Sequence, residues 1–125
     1  MDRHRIRLRR PWRQELAVGG VVWRRWFGRP SGLGAGSTVW VCIDGMPSGG
    51  TVRLNSHLLG PLPIPRNSGR YNVTTRLMEG NELTIHLEEF REVSTTATQT
   101  NPPGDIYLEI CPDEEGPTQL KKGDE

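Results

Sequence analysis

Between Val39 and Leu87 the chain alternates apolar and polar residues in short runs: V-W-V-C-I-D-G, G-T-V-R-L-N-S-H-L-L-G, Y-N-V-T-T-R-L and G-N-E-L-T-I-H-L. A period of two marks a strand with one face in a core and the other in water. Gly, Pro, Asn and Ser separate the runs, as antiparallel turns require. The inward set is Val39, Val41 and Ile43, then Val52 and Leu54, then Leu83, Ile85 and Leu87, with Tyr71 and Val73 sharing one phase. Facing out are Trp40, Cys42 and Asp44, then Arg53 and Asn55, then Thr84, His86 and Glu88.

The flanking segments extend the pattern. Ile6 and Leu8 point inward while Arg5, Arg7 and Arg9 point out, giving an opening strand whose charged face suits a sheet edge. Pro11 and Trp12 interrupt it, since proline lacks the ladder donor, and Trp12 is expected to plug the core. Val21 to Phe27 has two phases, one burying Trp23 and Phe27 with Arg25, the other Val22 and Trp26 with Arg24. The first is preferred, and it leaves Trp26 exposed or half exposed. The glycine-rich stretch after it matches neither a phosphate loop nor a dinucleotide fingerprint. Asn55-Ser56-His57 makes a turn, and Leu58, Leu59 and G-P-L-P-I-P cross the end of the fold as a loop. Thr74 to Glu79 forms one helical turn capped by the Thr74 or Thr75 hydroxyl. Phe90 and Val93 extend the preceding strand through a bulge, Ser94 to Gly104 is a polar loop, and Ile106, Leu108 and Ile110 fill the last strand. Short strands at this spacing predict an antiparallel β-sandwich of about eight strands, a jelly roll. Residues 1–111 form its single domain, and residues 112–125 form an acidic, polar tail expected to be mobile.

Composition agrees with that class. At 125 residues there is room for one core, and 15 Gly with 10 Pro supply the turns that many short strands need. No run of 18 apolar residues exists, and the basic start M-D-R-H-R-I-R has no apolar region behind it. Neither a signal peptide nor a membrane span is read, so a cytoplasmic location is expected. Charge is uneven: through Arg76 there are 13 Arg against three acids, and beyond it 12 acids against three basic residues. A nucleic-acid surface would leave the whole domain strongly basic, whereas the net charge is +1. The charges are therefore expected to cancel across strands, with Arg5, Arg7 and Arg9 on a first strand lying beside a last strand that carries Asp105 and Glu109.

Catalytic chemistry finds little support. A glycosidase needs two carboxylates across a cleft, but Asp44, Glu79, Glu88, Glu89, Asp105 and Glu109 fall mostly on solvent faces or turns. His4, His57 and His86 are dispersed, without metal-ligand spacing, and no histidine stands in a recognised nucleophile motif. No catalytic residue, metal or cofactor is assigned. Sequence separation does not prevent Cys42 and Cys111 from meeting; two free thiols are the expectation without a secretion signal. What remains is binding. A sugar site on a sandwich takes an aromatic ring and a few polar groups, and the outward candidates are Trp26, Trp40, Arg53, His86 and Tyr107, Trp40 foremost. The competing reading is a structural or protein-interaction role in which these aromatics are filler.

With these residues laid out, the chain resembles the non-catalytic sugar-binding-like module at the N-terminus of family-two glycoside hydrolases, the β-galactosidase and β-glucuronidase group. The matching pieces are R-R-W-F (Arg24 to Phe27) followed by Pro30, the strand ending I-D-G (Ile43 to Gly45), V-R-L-N (Val52 to Asn55) with Leu59 and Gly60, Y-N-V-T (Tyr71 to Thr74) and G-N-E-L (Gly80 to Leu83). The resemblance implies a galactose-binding-like jelly roll, and it implies no hydrolase activity, because the carboxylates of that family sit in a separate barrel domain. It makes the chain a non-catalytic accessory or interaction module with a protein or carbohydrate partner. Two departures stand out. Ser56 replaces the family's glycine after Asn55, which implies a different or strained turn, and Asn72 replaces an aspartate.

Overall fold

The computed structural model describes residues 4–9, 11–62, 68–88 and 102–112. They form nine strands: β1 (His4–Arg7), β2 (Arg13–Ala17), β3 (Gly20–Gly28), β4 (Thr38–Asp44), β5 (Gly50–Leu54), β6 (His57–Pro61), β7 (Ser68–Asn72), β8 (Gly80–Glu88) and β9 (Asp105–Cys111). The order β1-β9-β4-β7 makes one sheet and β2-β3-β8-β5-β6 the other, and among the described residues every strand pairing is antiparallel. The protein is an all-β jelly-roll sandwich, and the described residues contain no helix.

The predicted phases hold on both sheets. Val39, Val41, Ile43, Val52, Leu54, Leu83, Ile85 and Leu87 are fully buried, and Ile106 and Leu108 nearly so. In β3 the preferred phase is the observed one: Val21 and Trp23 are buried and Phe27 packs against the core. Trp12 closes one end with no exposed surface, and its indole Nε1 donates to the Leu8 carbonyl at 2.9 Å. A buried Trp N–H needs such a partner.

Two expectations are corrected and one strand is added. Residues 13–17, which show no alternation in sequence, form edge strand β2 beside β3. Leu58 and Leu59 belong not to a loop but to edge strand β6, whose pairing with β5 shifts register between Val52 and Arg53; such a bulge erases the alternation by which strands are read. The segment after Val73 is a turn instead of a helix. Its cap is Asn72, whose Oδ1 accepts from Thr74 N at 3.0 Å and Thr74 Oγ1 at 2.7 Å. The Thr74 hydroxyl in turn accepts from Val39 N at 2.9 Å, which binds the turn to β4 and stops a helix from starting. The Phe90–Val93 extension, most of the 94–104 loop, residues 63–67 of the proline-rich loop and residues 113–125 of the tail lie outside the described residues.

The Asn55–Ser56 turn keeps the two-residue form, with Leu54 paired to His57 and positive φ at both central residues, 51° and 72°. Ser56 thus occupies a left-handed position that favours glycine. Gly20 and Gly50 flank β8 so closely that a side chain at either would strike the carbonyl of Leu87 or His86. Finally, β1 runs beside β9 with His4 opposite Ile110 and Arg7 opposite Tyr107, so the terminal strands are neighbours, as the charge pattern predicts.

Candidate functional site

The outer face of the four-stranded sheet is organised around Glu109, whose side chain is 3% exposed. Register sets Glu109 between Arg5 on β1 and Trp40 on β4, and Cys42 between Tyr107 and Arg70. Arg70 Nη2 donates to Glu109 Oε1 at 2.7 Å, and Arg5 Nε lies 3.5 Å from the other oxygen. Each guanidinium also covers a ring: Arg70 stands 4.1 Å from the Trp40 ring centroid and Arg5 4.9 Å from that of Tyr107. These cation–π contacts leave the carboxylate and both rings mutually satisfied. Burial pulls the Arg70 guanidinium down, but its hydrogen bond and charge contact with Glu109 hold it above its usual value. Burial, then the Glu109 charge, push the Cys42 thiol up, the opposite of what a nucleophilic thiol needs. Burial, then the Asp44 charge, likewise raise the Tyr107 phenol, which donates to Asp44 Oδ2 at 3.5 Å.

Cys42 pairs with Tyr107 and Cys111 with Thr38. Four residues of strand separate the two thiols, roughly 13 Å, too far for a disulfide. Both cysteines are free.

At the end of the same sheet Asp44 lies opposite Asp105. Arg7, Arg9 and these two carboxylates border an open cleft of about 540 Å³ with Gly45 and residues 102–104. A side chain at Gly104 would meet the Asp44 carbonyl oxygen at 2.5 Å. Arg7 Nη1 is 3.4 Å from Asp105 Oδ1, and the Asp105 side chain is 67% exposed.

The outer face of the five-stranded sheet is different in kind. Arg13, Arg24, Thr84, Arg53 and Leu58 form one cross-strand row, and Glu15, Val22, His86 and Thr51 form the next. Between Arg24 and Arg53 lies a shallow groove of about 270 Å³, lined also by Ala17, Val22, Thr51, Thr84 and His86. Glu15 accepts from Arg24 Nη2 at 3.0 Å. Among the described residues Arg13 and Arg53 have no ion pair; Arg53 makes one long contact, Nη1 to Ser56 O at 3.4 Å. His86 Nε2 is buried without a hydrogen-bond partner. Trp26, 63% exposed, stands beyond Arg24 on β3, opposite Glu82.

The five candidate binding residues therefore divide between two surfaces. Trp40 and Tyr107 share the four-stranded face, each with an arginine on its ring, while Trp26, Arg53 and His86 share the five-stranded face. Sequence reasoning left out Arg24 and Thr84, which complete the row with Arg53. Their signal was present in the phase of Trp26 and His86. Among the described residues no group of three or more His, Cys, Asp or Glu side chains is placed to hold a metal.

No protein-family model matches the chain, and no curated protein is similar to it. Solved structures are. The FMN-binding β-glucuronidase from Facaelibacterium prausnitzii L2-6 superposes with a TM-score of 0.70 at 20% identity, over 89% of this chain and 23% of that one. The Bifidobacterium dentium β-glucuronidase complexed with coumarin-3-O-glucuronide gives 0.66 at 16% identity, over 88% and 30%. The putative β-galactosidase from Bacteroides fragilis gives 0.59 at 16% identity, over 76% and 15%. The fold is that of a glycosidase β-sandwich module. At these identities the likeness is one of fold, and the chain spans less than a third of the length of each of these structures. The resemblance expected from R-R-W-F, V-R-L-N and G-N-E-L is present in three dimensions.

Proposed function

We propose that the chain is a non-catalytic accessory module that acts by binding. The observation carrying this reading is the state of Glu15, Asp44, Asp105 and Glu109. Glu15, Asp105 and Glu109 are paired with Arg24, Arg7 and with Arg5 and Arg70. Asp44 is hydrogen bonded to Tyr107. Asp44 and Asp105 stand side by side at the end cleft, but Asp105 is open to water and neutralised by Arg7, whereas a general acid in a glycosidase is a carboxyl kept protonated by a dry pocket. The short overlap with the hydrolases supports the same reading. The test is incubation of the purified chain with chromogenic β-glucuronide and β-galactoside: no turnover is expected, and sustained turnover that is lost in Asp44→Asn or Asp105→Asn would overturn the proposal.

Carbohydrate is the ligand class that the five-stranded face favours, because Trp26, Arg53 and His86 stand there together with a ring open to solvent. Trp40 and Tyr107 would have to release Arg70 and Arg5 before either could stack on a sugar. A glycan array followed by calorimetry on Trp26→Ala and Trp40→Ala separates the two surfaces.

A further inference from the structure

The charge asymmetry of the chain is only partly cancelled in the fold. The arginines of β1 meet Asp105 and Glu109 on β9, but those of the other sheet do not find equal partners. Arg13, Arg24 and Arg53 lie in one row across β2, β3 and β5, with Thr84 of β8 between the last two, and among the described residues Glu15 of the next row is the one carboxylate ion-paired to it, through Arg24. On β8 the outward residues run Glu82, Thr84, His86, Glu88, so that strand carries its acids at its two ends, and among the described residues Arg13 and Arg53 are left without an ion pair. Arg24 and Arg53 are two strand spacings apart, roughly 10 Å, which is about the length of a disaccharide. Between them the floor carries the apolar side of Val22, the hydroxyls of Thr51 and Thr84, and the part-exposed His86 ring, whose Nε2 is covered. Trp26 extends the face along β3 with an exposed ring.

We propose that this groove binds an acidic oligosaccharide, one carrying a carboxylate or a sulfate about once per disaccharide. Arg53, which has no ion pair among the described residues, and Arg24, which exchanges Glu15 for the ligand, receive successive anionic groups, as guanidinium forks suit both carboxylate and sulfate oxygens. Thr51 and Thr84 hydrogen bond the hydroxyls between them, the His86 ring lines the groove beside them, and Trp26 stacks on the apolar face of a ring at the end. This rests on the reading of the chain as a binding module and gives that reading a ligand class.

The experiment is calorimetry on the full chain with five probes: an oligogalacturonate hexamer, a heparin-derived hexasaccharide, cellohexaose, inorganic sulfate and a short single-stranded DNA. One or both acidic hexasaccharides should bind, which tells carboxylate from sulfate, with cellohexaose at least ten-fold weaker and an affinity that falls with salt as about two ion contacts would dictate. Arg53→Gln and Arg24→Gln should each weaken binding about ten-fold or more, and Trp26→Ala several-fold, while Arg76→Gln, which removes an equal charge elsewhere, should change it less than two-fold; thermal melts establish that each variant is folded. Equal losses in Arg53→Gln and Arg76→Gln would mean diffuse attraction and overturn the groove. DNA or inorganic sulfate binding as tightly as the hexasaccharides would overturn the saccharide assignment. Failure of every probe to bind would overturn this inference and leave the non-catalytic reading standing, which only glycoside turnover removes.

Discussion

The side-chain amide of Asn55 donates to Asn81 Oδ1 at 3.0 Å, and through that bond the β5–β6 turn is fastened to the start of β8. Asn81 has no exposed surface. Its Oδ1 also accepts from Met78 N at 2.8 Å and its Nδ2 donates to Met78 O at 2.9 Å, while Asn55 Oδ1 accepts from Glu82 N at 2.9 Å. The asparagines of V-R-L-N and G-N-E-L therefore belong to one part-buried polar network. Asn81→Ala should destabilise the fold by about 2 kcal/mol, because backbone groups of Met78 and the amide of Asn55 lose a partner that water only partly replaces. Urea unfolding measures this, and a loss under 1 kcal/mol would contradict it.

Ser56 holds φ at 72°, where a side chain costs about 1 kcal/mol that glycine does not. Ser56→Gly should raise the urea midpoint by an equivalent amount with an unchanged slope.

The Glu109 lattice predicts an asymmetry between its members. Arg70→Ala takes the 2.7 Å partner from a carboxylate that is 3% exposed, and should cost roughly 3 kcal/mol. Glu109→Gln leaves two guanidiniums that are 43% and 61% exposed and can turn to water, so its cost should be near 1 kcal/mol. Equal costs in calorimetric unfolding would refute this ordering.

Alkaline pH should weaken the fold in two stages. Burial raises the Cys42 thiol above its ordinary 9.0 and the Tyr71 and Tyr107 phenols above their ordinary 10.0. Above those values the unfolded chain has released protons that the folded chain still holds, so stability is intact below about pH 9 and falls as pH climbs through the raised values. Cys42→Ala should remove the earlier part of the fall. With a thiol reagent at pH 8, Cys111 should react in the native state and Cys42, 2% exposed, only on unfolding.

The inner faces were legible because β4, β5, β8 and β9 are covered on one side only, and there a period of two is enforced by water. Edge strands escape that rule. In β2 the inward position at Gln14 is polar and Leu16 overhangs the sheet, 69% exposed, so nothing in R-Q-E-L-A alternates. The cap by Asn72 was also hidden, since whether Asn72 or a threonine ends the strand depends on the contact between Thr74 and Val39. For the candidate residues, phase tells which side chains point out but not from which sheet. Trp40 and His86 share an outward phase and lie on opposite surfaces, a fact set by strand order, which alternation does not encode. The opposed charges of β1 and β9 were the exception, because complementary runs at the two ends of the chain made a specific pairing readable.

The pairing of His4 with Ile110 bears on how such a fold can be used. The strand that opens the sandwich and the strand that closes it are neighbours running in opposite directions, so the polypeptide enters and leaves at one corner. A unit with that property can be spliced into another protein as an insert or reopened at a turn by circular permutation without parting its sheets. It has the build of a cassette, whose five-stranded face lies on the sheet away from the corner of entry and exit.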